Sequence, residues 1–99
     1  GANALANNTT GTRNTASGYQ ALEGNTTGNN NTAIGYQALS DQQTVSGSTA
    51  VGFGALTENT TGEENAALGF KSLYVNTDGN RNTAIGNQAL TRNKGNKNT

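Results

Sequence analysis

The chain contains no cysteine, histidine, proline, methionine or tryptophan. Without cysteine there is no disulfide and no thiolate nucleophile, and without histidine there is no imidazole base and no ordinary zinc or haem site. Aromatic residues make up 5% of the sequence, charged residues 12% and hydrophobic residues 30%, well below the levels of an ordinary globular domain. Long apolar runs are also missing. Stretches such as Thr49-Ala50-Val51 and Ala66-Ala67-Leu68 fall far short of the roughly 20 residues that a helical membrane span needs.

No sign of charge dominates. Six basic and six acidic residues cancel, with a pI near 6.3, so there is no polycationic surface to displace counterions from nucleic acid or to dock on anionic lipid. We therefore expect no nucleic-acid partner and no membrane contact from this segment. The charges are unevenly placed: from Asn14 to Phe70 all are acidic, and after Asp78 all are basic. A solvated surface accounts for this distribution.

What the sequence has in abundance is asparagine, threonine and glycine, 47 of its 99 residues. Their order is periodic. The unit Asn31-Thr32-Ala33-Ile34-Gly35-Tyr36-Gln37-Ala38-Leu39 recurs in steps of 17 residues, beginning again at Asn14, Ser48, Asn65 and Asn82. The units are 14–30, 31–47, 48–64, 65–81 and 82–97. Residues 1–5 form the tail of an earlier copy and 98–99 open a further one, so we read residues 1–99 as a single repeat segment cut from a longer fibre.

Within the unit, some positions never change. Alanine stands at Ala16, Ala33, Ala50, Ala67 and Ala84, and glycine at Gly18, Gly35, Gly52, Gly69 and Gly86. Leucine stands at Leu5, Leu22, Leu39, Leu56, Leu73 and Leu90. Asparagine opens four copies, at Asn14, Asn31, Asn65 and Asn82, and an aromatic series runs through Tyr19, Tyr36, Phe53 and Phe70. A polar connector joins the copies: Asn25-Thr26-Thr27-Gly28-Asn29, repeated in part as 8–11 and 59–62 and varied as 76–79. Asparagine and glycine tolerate positive φ, so the connector reads as a corner.

Seventeen residues are too few for the helix pairs of tetratricopeptide, ankyrin or HEAT repeats, which need about 33 or more. They suit one coil of a parallel β-solenoid, and we expect about six coils with Thr32-Ala33-Ile34 as a strand and Gly35 as a tight bend. Because 17 is odd, strict in/out alternation cannot return each residue to its own side, so a corner must reset the parity. Gly35 and the Thr-Thr-Gly corner are the expected places. Stacking about 4.8 Å apart would then lay leucine on leucine, alanine on alanine and asparagine on asparagine. The interior of each coil, expected to hold one Ile, one Leu, one aromatic and two Ala, is thin. Several stacked units are needed for stability, and association between chains is expected to supply the rest.

The Asn-Thr-Ala-Ile-Gly core, at 31–35 and 82–86 with Ser48-Thr49-Ala50-Val51-Gly52 as a close variant, resembles the head repeats of YadA-type trimeric autotransporter adhesins. It also resembles repeats of phage and giant-virus tail fibres that end in an intramolecular chaperone. The resemblance covers all five full units. It implies a left-handed parallel β-roll, three chains side by side, and a place in an extracellular fibre or adhesin head at a cell surface or virion. The 17-residue unit is longer than the usual head repeat, and no neck, stalk or anchor lies in this stretch.

Chemistry-bearing constellations are scarce. Glu63-Glu64, the one adjacent carboxylate pair, has no histidine or cysteine to work with and reads as a solvated corner. Asp78-Gly79-Asn80 lacks the remaining ligands of a calcium loop. We therefore expect no enzyme activity, no catalytic residue, no metal site and no cofactor. Five Asn-x-Thr sequons, at Asn7, Asn8, Asn25, Asn30 and Asn59, are no more than so Asn- and Thr-rich a chain supplies by chance. The expected function is a rigid spacer and surface-attachment module that self-associates as a homotrimer or filament, with a host-surface or matrix receptor as a further partner. The alternative is an ice-binding or other flat-face-binding solenoid, for which Thr15, Thr32, Thr49 and Thr83 form a single file interrupted by Ala66.

Overall fold

A computed structural model describes residues 1–93 and 95–99. It is all-β. Five strands, β1 (Thr15–Ser17), β2 (Thr32–Ile34), β3 (Thr49–Val51), β4 (Ala66–Leu68) and β5 (Thr83–Ile85), form one sheet in the order β1-β2-β3-β4-β5. Every neighbouring pair is parallel, and the register follows the repeat: Ala16 lies beside Ala33, Ala33 beside Ala50, Ala50 beside Ala67 and Ala67 beside Ala84. The chain is thus a parallel β-solenoid that advances one strand per 17 residues. Its longest dimension is 31 Å, close to the ~28 Å expected of nearly six coils at about 4.8 Å each.

The strand lasts only three residues because glycine ends it. Gly18, Gly35, Gly52, Gly69 and Gly86 have φ between 122° and 131°, a region that a Cβ excludes. Close approach adds a second reason: a Cβ on Gly35 would lie 2.6 Å from the carbonyl oxygen of Gly52 in the next coil. The wall that follows is a run of turns rather than a second strand. In one coil, Ala21 N–H donates to Gly18 C=O, Glu23 N–H to Gln20 C=O and Asn25 N–H to Leu22 C=O, at 3.2, 3.2 and 3.1 Å. The first two of these turns use positive φ at the third residue, and Gln20 and Leu22 supply it at 58° and 52°.

The parity reset therefore differs from the expected one. Besides the glycine bend, it falls on three columns of mostly non-glycine residues: the leucines, the series Asn3, Gln20, Gln37, Gly54, Lys71 and Gln88, and the series Arg13, Asn30, Gly47, Glu64, Arg81 and Lys97. The corner glycines Gly11, Gly28, Gly62 and Gly79 have no positive φ. They are needed for closeness instead, since a Cβ on Gly28 would collide with the carbonyl oxygen of Val45. The strained left-handed leucines are held by ladder bonds from one coil to the next, Leu22 N–H to Ala38 C=O and Leu39 N–H to Ala55 C=O at 3.0 Å each.

The interior also differs from expectation. The apolar core consists of the alanine and leucine columns: Ala33, Ala38, Ala50, Ala55, Leu22, Leu39, Leu56 and Leu73 are fully buried. The isoleucine and the aromatic counted as interior lie outside. Only the middle residue of Thr-Ala-Ile points inward, so Ile34 faces solvent with Thr32, two positions away on the same side. Buried carboxamides, with Val45, Ser48, Thr57 and Ser72, take up the remaining interior volume.

Candidate interaction face

The outward side of the sheet presents three parallel columns. The first is Thr15, Thr32, Thr49, Ala66 and Thr83; the second is Ser17, Ile34, Val51, Leu68 and Ile85. Across the glycine bend lies the third, Tyr19, Tyr36, Phe53 and Phe70, which lapses at Asn87. Successive rings of the aromatic column stack at 5.3, 4.8 and 5.4 Å between centroids, with interplanar angles of 15°, 7° and 17°. Their faces are turned to one another and their edges outward. Lys71 borders the column with its ammonium 5.3 Å from the Phe70 ring centroid, within cation–π range.

None of these columns carries a charge, although Ile34, Leu68, Ile85, Tyr19, Tyr36, Phe53 and Phe70 are 42% to 70% exposed. Single exposed apolar residues are ordinary on any protein. A contiguous, uncharged stripe of this kind running the length of the sheet is uncommon on the surface of a monomer.

Behind this face two buried polar columns hold the coils together. In the first, each side-chain oxygen accepts the next coil's backbone N–H: Asn14 from Asn31 at 3.0 Å, Asn31 from Ser48 at 2.9 Å and Asn65 from Asn82 at 2.8 Å. The amide nitrogen spans the interior, as from Asn31 to Val45 C=O at 2.7 Å and from Asn65 to Gly79 C=O at 2.8 Å. Along this column Asn14, Asn31, Asn65 and Asn82, with Ser48 between the two pairs, thus bond to backbone rather than amide to amide.

An amide-to-amide column lies at the connector and was not singled out from the sequence. Asn25 donates to Asn8 at 2.8 Å, Gln42 to Asn25 at 2.6 Å, Asn76 to Asn59 at 3.0 Å and Asn93 to Asn76 at 3.0 Å. Its signal was present as the recurring Asn-x-x-Gly, because Asn8, Asn25, Asn59 and Asn76 also reach the glycine carbonyl three residues on, Asn59 to Gly62 at 2.7 Å for example. No buried side-chain nitrogen or oxygen among the described residues lacks a partner. That satisfaction is what makes an amide-filled interior tolerable.

The candidate modification and catalytic residues take plain places. Asn25 and Asn59 are buried in the amide column, which removes two of the five sequons from the surface, whereas Asn7 and Asn30 are exposed. Glu63 and Glu64 stand exposed on a corner, and Glu64 pairs with Arg81 at 3.7 Å. Among the described residues there is no pocket and no cluster of three or more acidic side chains. Among the described residues no helix is long and apolar enough to cross a membrane. The arrangement offers a surface and no enclosed site.

In comparisons with known proteins, no family model, no curated protein and no solved structure matches the chain. The class that the geometry defines is a parallel β-solenoid repeat segment.

Proposed function

We propose that the chain is a rigid spacer segment of an extracellular fibre or adhesin, whose copies associate side by side as a homotrimer through the apolar face. The observation that carries this reading is the uncharged stripe of exposed Ile34, Leu68 and Ile85 with half-buried Val51 between them, beside the stacked aromatics. A ladder repeating once per coil is complementary over its whole length only to a surface with the same rise, and a second copy of the chain supplies one. Apolar contacts there add the burial that a core of alanine, leucine and amides provides sparingly. Stiffness follows from coil-to-coil hydrogen bonds, and length from the number of coils. The adhesin and surface assignments rest on the resemblance of the Asn-Thr-Ala-Ile-Gly units.

The test is the mass in solution by sedimentation equilibrium. The chain is expected at about three times 10.1 kDa. Ile34→Glu with Leu68→Glu is expected to return it to 10.1 kDa with an unchanged β spectrum. A wild-type monomer refutes the assembly. A trimer that binds no matrix protein or cell surface retains the spacer and removes the adhesive role.

A further inference from the structure

We infer that the solenoid opens first at one seam, between the corner at 42–46 and the next corner at 59–63. At three other corner pairs the corners are tied by backbone bonds. Thr9 and Thr10 N–H donate to Thr26 C=O at 3.0 and 3.2 Å, Thr26 and Thr27 to Gln43 C=O at 2.8 and 3.2 Å, and Thr60 and Thr61 to Thr77 C=O at 3.2 and 2.8 Å. The corresponding donors at the seam are Gln43 and Thr44, and among the described residues neither bonds to Thr60 C=O.

The side chains part at the same place. The buried amide column runs from Asn8 through Asn25 to Gln42 and from Asn59 through Asn76 to Asn93, with no bond between Gln42 and Asn59. Gln42 is one methylene longer than the asparagine it replaces, and its oxygen turns back to accept the Val45 N–H at 3.1 Å. On the outer side of the corner, Asn29 accepts the Thr12 N–H at 2.8 Å and Asn80 the Glu63 N–H at 2.7 Å. Glu63 holds that place over Ser46 and accepts nothing from it among the described residues. Ser48, standing where Asn31 and Asn65 stand, has no amide to reach across the interior.

One stretch of sequence produces all but the last two of these losses. The corner Asn25-Thr26-Thr27-Gly28-Asn29 becomes Gln42-Gln43-Thr44-Val45-Ser46. The sheet is not interrupted, since β2 and β3 pair over all three residues. The corner thus lifts while the strands stay paired. Few bonds between the two corners place it at the low end of local opening free energies.

Hydrogen exchange on the whole chain tests this through amides that do bond across the seam, Asp41 to Thr57 C=O at 3.0 Å and Glu64 to Ser46 C=O at 3.2 Å. Gly24 to Ser40 C=O at 2.9 Å and Arg81 to Glu63 C=O at 3.0 Å make the same bonds between other coils. Asp41 and Glu64 are expected to show protection factors about tenfold lower than Gly24 and Arg81. The variant Q42N/Q43T/V45G/S46N, which reproduces the 25–29 corner, is expected to bring them within about twofold. Equal protection in the wild type overturns the inference, and so does protection that stays low in the restored variant.

Discussion

Gly52 and Gly69 occupy the same bend in successive coils, so close that a Cβ built on Gly52 falls 2.7 Å from the Gly69 carbonyl oxygen. The contact arises because the strand ends at full height against its neighbour, and φ of 130° at Gly52 turns the chain where no side chain fits. The bend therefore depends on glycine for two separate reasons, backbone conformation and room.

Gly52→Val is expected to destabilise the fold by about 3 kcal/mol, combining a disfavoured backbone region with a steric clash. Gly47→Asn is the control. Gly47 has φ of 75° in a column that elsewhere holds Asn30 and Arg81 at 60° and 56°, and its nearest would-be neighbour, Glu64 Cγ, is 3.4 Å away. It should change stability by less than about 0.5 kcal/mol. Thermal or urea melts of the two variants decide the matter. Equal melting contradicts the bend.

Asn76→Ala is expected to cost about 3 kcal/mol. The Asn76 amide donates to Asn59 Oδ1 at 3.0 Å and Gly79 C=O at 2.8 Å, and its oxygen accepts from Asn93 at 3.0 Å. Removing it strands buried partners in both adjoining coils. Asn80→Ala removes bonds at a corner open to solvent and should cost about 1 kcal/mol or less. Urea midpoints in the same buffer measure the difference.

Glu64→Gly is expected to stabilise, by about 0.5 kcal/mol. Glu64 sits at φ of 58°, a conformation glycine adopts without strain, and Gly47 already fills this column one coil earlier. The lost contact with Arg81 is an exposed ion pair at 3.7 Å with both side chains about 60% accessible, and it contributes little. A lowered melting temperature would show that the pair, or the ordering that a side chain brings to the unfolded chain, outweighs backbone strain.

The sequence determined the period, and through it the topology. An exact 17-residue spacing of Ala33, Gly35 and Leu39 with their equivalents leaves a parallel coil as the arrangement that stacks like on like, because every column then repeats the same contact. The columns of alanine, glycine, leucine, asparagine and aromatic residues followed from it directly.

Which side of the wall each column faces was decided only in three dimensions. Leu39 and Gln37 take left-handed backbone against their own preference, held there by bonds to neighbouring coils that a single coil lacks: Leu39 N–H to Ala55 C=O at 3.0 Å and Gln37 N–H to Tyr19 C=O at 2.8 Å. Those turns place Leu39 inside and leave Ile34 and Tyr36 outside, against the expected interior of Ile, Leu and aromatic. They also bring Asn25 into the core, where hydrophobicity alone would never put it and where hydrogen bonds with Asn8 and Gln42 make it stable.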